Sequence, residues 1–297
     1  MTYRFINYTP SILEEAWYRN RGLYIDNASR ICSDLDTHAK ELASWVSFNT
    51  NHLKNNTYDE TSWSGIDSVF SKFVYEKSNG ETFTRIIEPL VGHFRHPYAL
   101  PHCKPMSVEA VNVQDRSYVA FGGLKPLDND VFFSGKHYLF DLGTADFPTS
   151  LGYLIATYAK IGVDFDRIWA WESTPRPKYW DSVPSEVQGK LHFYNKGISS
   201  DIDAQSHPLQ ILSKFYQPGD YVVFKLDIDN SELEMSVMKE IMEDEHLQHI
   251  ISELMFEMHY DSPDMERYFG KPNMSYINVL ETFRSCRQKG IFLHYWP

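Results

Sequence analysis

The stretch His137-Tyr-Leu-Phe-Asp-Leu-Gly-Thr-Ala-Asp146 decides how this chain is read. Large apolar residues run into Asp141, and Gly143 follows two positions later. A strand covered on both faces reads as a continuous apolar run. A glycine just past its end lets the backbone turn tightly and approach a ligand. This is how the first strand of a nucleotide-type α/β domain ends. Further on, Arg167-Ile-Trp-Ala-Trp-Glu172 repeats the logic, with an apolar strand closed by a carboxylate. An acidic residue ending the second strand commonly holds the two hydroxyls of a ribose. Together the two stretches point to an adenosine-containing cofactor.

Outward from these strands the pattern alternates. Strand candidates at 137–142, 167–172, 190–195, 220–228, 249–259 and 291–295 interleave with helix candidates at 149–161, 207–215, 231–244 and 275–289. That order predicts an α/β fold: a Rossmann-like, mostly parallel sheet flanked by helices. Right-handed crossovers then bring every strand C-terminus, and so the ligand, to one edge. Upstream, Leu13, Trp17 and Tyr18 follow Thr9-Pro10-Ser11 at helical spacing, and Ile31, Leu35, Leu42, Trp45 and Val46 continue the pattern. A polar loop at 49–64, a helix at 65–77, a short strand at 117–121 and a Gly/Pro/Asp-rich linker at 122–136 complete the reading. The expectation is a mainly helical N-terminal extension over 1–130 and a Rossmann-like domain over 131–297.

The 297 residues carry a formal net charge of −12, with 42% hydrophobic and 15% aromatic content. This composition suits a packed globule. Its charge repels phosphate backbones, so no nucleic-acid partner is expected. Cys32, Cys103 and Cys286 form no CxxC pair, which argues against a zinc site or a disulfide framework and fits a reducing compartment. No apolar run reaches the roughly 18 residues of a membrane span, and the start lacks a signal-peptide core. The expected location is cytoplasmic.

Several groups could carry chemistry. In the loop after the first strand, Gly143, Thr144 and Ala145 lead to Ser150 at a helix start, where a ligand can sit. Ala145 and Phe147 stand where further glycines would be expected, and an ordinary turn capped by Thr149 or Ser150 uses the same residues. Glu172 and Ser173 close the second strand, and Asn195 closes the third. In Tyr221-Val-Val-Phe-Lys-Leu-Asp-Ile-Asp229, the residues Lys225, Asp227 and Asp229 alternate on an apolar strand and so share a face. Catalysis, metal binding or a structural ion pair would each account for them. Ser231 and Glu234 fit a capping box. Glu253, Glu257 and His259 share a face of the next strand, placing carboxylates and an imidazole at the same edge. The Glu88-Pro89 and His93-Phe-Arg-His-Pro97 segment reads as a substrate lid or a packing element.

Residues 137–259 resemble the FkbM-type branch of class I S-adenosylmethionine-dependent methyltransferases. The likeness rests on Asp141-Leu-Gly143, on Glu172 and on Lys225-Leu-Asp-Ile-Asp-Asn-Ser-Glu232, followed by a glutamate-bearing strand. Asp229-Asn230 departs from the family's usual Glu-Gly, and the C-terminal part is short for the antiparallel hairpin that completes a seven-stranded sheet. The resemblance implies S-adenosyl-L-methionine as cofactor, held by Asp141, Gly143, Thr144, Ala145, Ser150, Glu172, Ser173 and Asn195. It implies O-methylation of a hydroxyl on a sugar, glycan or small polyol. Asp227, His259 and Lys225 are the catalytic candidates. Asp227, Asp229 and Glu257 are candidate ligands of a divalent cation, Mg or Mn. The N-terminal region would close over the acceptor or build a homodimer. The alternatives are a methyltransferase-fold protein that binds without catalysis, and an enzyme for a different nucleotide such as a sugar nucleotide.

Overall fold

The computed structural model describes residues 3–24, 66–90, 119–124, 135–201, 203–261 and 274–296, with the single positions 30, 33, 34, 37, 116 and 266. The continuation of the first helix through Ile31 to Val46, the loop at 49–64, the histidines and arginine of 93–97, and most of the 122–136 linker lie outside these residues.

The chain begins with strand β1 (Tyr3–Thr9) and helix α1 (Ile12–Asn20), which Ser11 caps by accepting the Glu14 amide. After the short helix α2 (Ile66–Val69) come β2 (Ser71–Lys77) and β3 (Thr82–Ile87). These three strands form an antiparallel sheet in the order β1-β2-β3, with Tyr3 opposite Lys77 and Ser71 opposite Ile87. The mainly helical N-terminal extension is therefore corrected: the N-terminal region opens with a strand and contributes a sheet. The helix expected over 65–77 stops after one turn. Ser71, Phe73 and Tyr75 are buried alternately, a period of two that only a strand satisfies. The strand expected at 117–121 is also corrected. Val119 and Ala120 are not in a strand, and a tight turn follows at 121–124, where Gly122 and Gly123 both hold positive φ.

The second sheet is built as the sequence predicts. Its elements in order are β4 (His137–Leu142), α3 (Leu151–Lys160), β5 (Arg167–Trp171), α4 (Ser185–Gln188), β6 (Leu191–Tyr194), α5 (Pro208–Phe215), β7 (Tyr221–Leu226), α6 (Ser231–Glu243), α7 (Glu245–Ile250), β8 (Glu253–Phe256), α8 (Tyr276–Gln288) and β9 (Leu293–Tyr295). The six strands run β6-β5-β4-β7-β8-β9, and every pair is parallel. Counted within the sheet, this is the doubly wound order 3-2-1-4-5-6. All six residues of β7 are buried, as are Tyr138–Leu142 of β4. One face stacks Phe140 between Trp169 and Phe224, with centroids 4.7 and 5.7 Å away. The other face packs Leu139, Ile168 and Val223 against Leu151, Leu154 and Tyr158 of α3. The long strand expected at 249–259 is cut short: α7 occupies its start, because Asp244 accepts the His246 and Leu247 amides and caps a helix there.

Buried ion pairs tie the two sheets together. Arg85 of β3 donates to the Ser252 carbonyl at 2.9 Å and to Glu253 at 2.7 Å. Tyr158 donates to the other Glu253 oxygen. Arg287 of α8 donates to Glu14 at 3.0 Å, to the Glu88 carbonyl at 2.9 Å and to the Leu293 carbonyl at 3.0 Å. The Glu88 carboxylate lies 2.9 Å from His294 Nδ1 and accepts the Ala120 amide at 2.9 Å. Glu88 is thus a packing element. Among the described residues no helix is long and apolar enough to cross a membrane.

Candidate functional site

In an open parallel sheet the ligand crevice lies beyond the strand C-termini where the strand order reverses, here between β4 and β7. A cleft of about 800 Å³ opens at that place. Gly143 and Ala145 line it after β4, Trp171 to Thr174 and Arg176 after β5, Lys196 to Ile198 after β6, Asp227 to Asn230 after β7, and Glu257 after β8.

Gly143 is required by packing as well as by the cleft. Its φ is +87°, and a Cβ there would fall 1.4 Å from the Asp227 carbonyl oxygen. The loops after β4 and β7 therefore touch backbone to backbone. Ala145 stands where a later glycine was expected, yet it takes a left-handed φ of +46°. The loop keeps its glycine-like turn without the glycine.

Lys225 sits under this junction. The β4–β7 register puts it beside Asp141. Its ammonium donates to Asp141 at 3.0 Å and to the Gly143 carbonyl at 3.0 Å, and lies 2.9 Å from Asp227. These three partners use its three protons. Burial disfavours its charge, but Asp141 and Asp227 hold it protonated well above the ordinary lysine range. Lys225, expected among the catalytic residues, thus holds Asp141, the Gly143 carbonyl and Asp227 in position. Asp141, expected among the cofactor contacts, lies beneath the same junction. It is fully buried, accepts Ser150 Oγ at 3.1 Å as well as Lys225, and is absent from the cleft wall. Thr144, Ser150 and Asn195 also stay off the wall. Thr144 Oγ1 pairs with the Tyr179 hydroxyl at 3.1 Å. Asn195 clasps the loop after β5, donating to the Glu172 and Thr174 carbonyls and accepting the Arg176 amide at 2.7 Å. Of the expected cofactor contacts, Gly143, Ala145, Glu172 and Ser173 line the cleft.

Glu172 accepts the Thr174 amide at 2.6 Å through one oxygen, and its other oxygen lies 4.0 Å from Arg176. It is oriented at the cleft wall with acceptor capacity remaining. Arg176 and Lys196 were missed in the sequence. Their signal was position alone, since each follows a strand end on the ligand edge.

The β7–β8 side is acidic. Asp227 and Glu257 are hydrogen-bonded to each other. Burial opposes ionisation of both. Lys225 and the Glu257 hydrogen bond nevertheless hold the Asp227 carboxyl below its usual range. Burial, reinforced by the Asp227 charge, pushes Glu257 well above it. Glu234 accepts the Ile228 amide at 2.9 Å and fixes the backbone between Asp227 and Asp229. It does not complete a capping box: Asn230, not Ser231, caps α6 by accepting the Leu233 amide. Strand β7 ends at Leu226 and Asp229 takes a φ of +55°, so the expected shared strand face does not extend to Asp229. Its carboxylate nonetheless comes together with Glu257 and His259, with one ligating atom from each within 4.8 Å of the others. Of the expected metal ligands, Asp229 and Glu257 thus come together with His259, while Asp227 pairs with Lys225. Glu253 begins β8 at the opposite edge, held by Arg85. Burial pushes the His259 imidazole down to about 4, against the pull of Asp227, so the ring is neutral near pH 7.

The chain matches no family model, no curated protein and no solved structure. The chemistry of the cleft is then the guide to its ligand. Several of the backbone amides that could cradle a phosphate are already used. Those of Gly143 and Thr144 both donate to the Trp171 carbonyl, at 2.9 and 3.1 Å. At the start of α3, Thr149 and Ser150 donate to the Asp146 carbonyl, and Gly152 to that of Phe147. A phosphate-binding helix start offers such amides open.

Proposed function

We propose that this protein is an S-adenosylmethionine-dependent O-methyltransferase acting on a hydroxyl of a sugar or other small polyol. The observation that supports the reading is a cleft at the sheet's switch point with the oriented Glu172 carboxylate on its wall and with the Gly143 and Thr144 amides engaged. S-adenosylmethionine has no phosphate, and it supplies a methyl group on a positively charged sulfur. Glu172, Asp227 and Asp229 share the cleft wall with Arg176 and Lys196, so the cleft is not the strongly basic surface that phosphates favour. Glu172 would accept the ribose hydroxyls, with Gly143, Ala145 and Ser173 alongside. Asp227 and Asp229 would accept hydrogen bonds from the acceptor hydroxyl. The chain's work is then alignment of that oxygen and removal of its proton.

A second reading, an enzyme for a dinucleotide or sugar nucleotide, draws on one specific feature. Strand β9 runs parallel to β8, as in the dinucleotide-binding order, where the methyltransferase resemblance implies an antiparallel hairpin. The engaged amides weigh against it. Incubation with methyl-labelled S-adenosylmethionine and a panel of sugars and polyols tests the choice. Label is expected in at least one acceptor and is lost in Glu172→Ala. Transfer that Glu172→Ala leaves intact would contradict the cofactor placement.

A further inference from the structure

We infer that a second pocket, at the opposite edge of the parallel sheet from the cleft, binds a small zwitterion with an apolar side chain, namely a free α-amino acid. The pocket has a volume of about 520 Å³ and lies where the N-terminal sheet meets the starts of β8 and β9. Phe5 of β1 and Tyr75 of β2 line it from the N-terminal sheet. From the other body come Glu245, Gln248 and His249 of α7, with Lys289 just past the end of α8. Spacings of three and four residues put the three α7 side chains on one helix face.

The charges around this pocket divide into committed and open ones. Arg4 and Arg85 also line it, but Arg4 pairs with Glu76 at 2.7 Å and Arg85 with Glu253 at 2.7 Å. Among the described residues neither Lys289 nor Glu245 makes an ion pair. The Lys289 ammonium donates to the Met242 carbonyl at 3.1 Å, and the Gln248 amide donates to the same carbonyl at 2.8 Å. Lys289 is thereby held in place with two protons left for a ligand carboxylate. Gln248 keeps its side-chain oxygen, and with Glu245 on the same helix face it can accept from a ligand ammonium. His249 adds no further charge: partial burial and the neighbouring His246 hold its imidazole below the ordinary 6.5, so the ring is neutral near pH 7. A simple anion would leave Glu245 unanswered, and a simple cation would leave Lys289 so. A ligand bearing one charge of each sign meets both, and Phe5, Tyr75 and Ile251 offer apolar surface to its side chain. Such a ligand touches both sheets and so stabilises their junction. The site does not depend on the methyl-transfer reading.

Calorimetric titration of the full chain with L-leucine, L-phenylalanine and L-tyrosine tests the site. At least one is expected to bind one-to-one. Its N-acetyl derivative, which lacks the ammonium, and the corresponding amine, which lacks the carboxylate, should each bind at least about 10-fold more weakly, because each loses a charge-assisted contact. Glu245→Gln and Lys289→Met should each weaken binding of the free amino acid by about as much; both residues are exposed, so the fold is retained. Glu172→Ala, in the cleft at the other edge, should leave it unchanged. On the unaltered protein the bound amino acid should slow amide exchange in β1 and α7, a readout that needs no variant. Several results would overturn the site: no binding of any of the three, an N-acetyl derivative that binds as tightly as its parent, or undiminished binding in both pocket variants. Loss of binding in Glu172→Ala, or unchanged exchange in β1 and α7, would overturn it as well.

Discussion

Single residues at the strand ends carry distinct burdens. Gly143→Ala would place a methyl on the Asp227 carbonyl at a positive φ. We expect a loss of about 3 kcal/mol or more, read by chemical denaturation, because both sterics and backbone conformation oppose it. Lys225→Met should cost about 3–5 kcal/mol, since it leaves Asp141 buried without its cation. Neither change touches Glu172, the carboxylate proposed to hold a ribose. Glu172→Ala should do the reverse, leaving stability within about 1 kcal/mol while weakening S-adenosylhomocysteine by about 2–3 kcal/mol. Equal stability of Lys225→Met and the parent protein would refute the positioning role. At this scale the sequence was legible where chemistry is unusual. Lysine and aspartate in an apolar strand stood out, and so did Gly143. What Lys225 binds was hidden, because the partner Asp141 is set by strand register and not by proximity in the chain.

Whole elements were legible when their pattern is local. Strands β4, β5 and β7 read as apolar runs, and the structure makes them parallel neighbours with β4 between the other two. Helices α3, α5, α6 and α8 fall inside their expected ranges. The antiparallel N-terminal sheet escaped because β1 pairs with a strand far along the chain, Tyr3 with Lys77. The alternation in Ser71-Lys-Phe-Val-Tyr-Glu-Lys77 was present but was read at a helical period. Attachment of this sheet depends on Arg85, whose guanidinium reaches the start of β8. Arg85→Met should destabilise the protein by about 3–5 kcal/mol by stranding Glu253 in the interior. Amide exchange should accelerate in β1–β3 more than in β4 and β7. Uniform acceleration across both sheets would mean that the N-terminal sheet does not detach as a unit.

The molecule as a whole joins two sheets through a buried ionic seam. The seam makes a prediction about acid. Burial opposes the charge on Glu88, but His294, Arg287 and the Ala120 amide hold its carboxyl below the ordinary 4.5. A depressed carboxylate contributes its stability fully above its ordinary value, and that contribution is lost as pH falls through the lowered one. Stability should therefore decline below about pH 4.5, and Glu88→Gln should lower stability at pH 7 while flattening that decline. A parallel acid decline in the variant would place the sensitivity elsewhere. The central claim concerns the cleft at the other edge, and calorimetric titration of the full chain with S-adenosylhomocysteine, NAD⁺ and UDP-glucose tests it most directly. The account predicts one-to-one binding of S-adenosylhomocysteine, lost in Glu172→Ala, and at least about 10-fold weaker binding of the two phosphate-bearing ligands. Tighter binding of NAD⁺ or UDP-glucose, or no binding of S-adenosylhomocysteine by the folded protein, would contradict it.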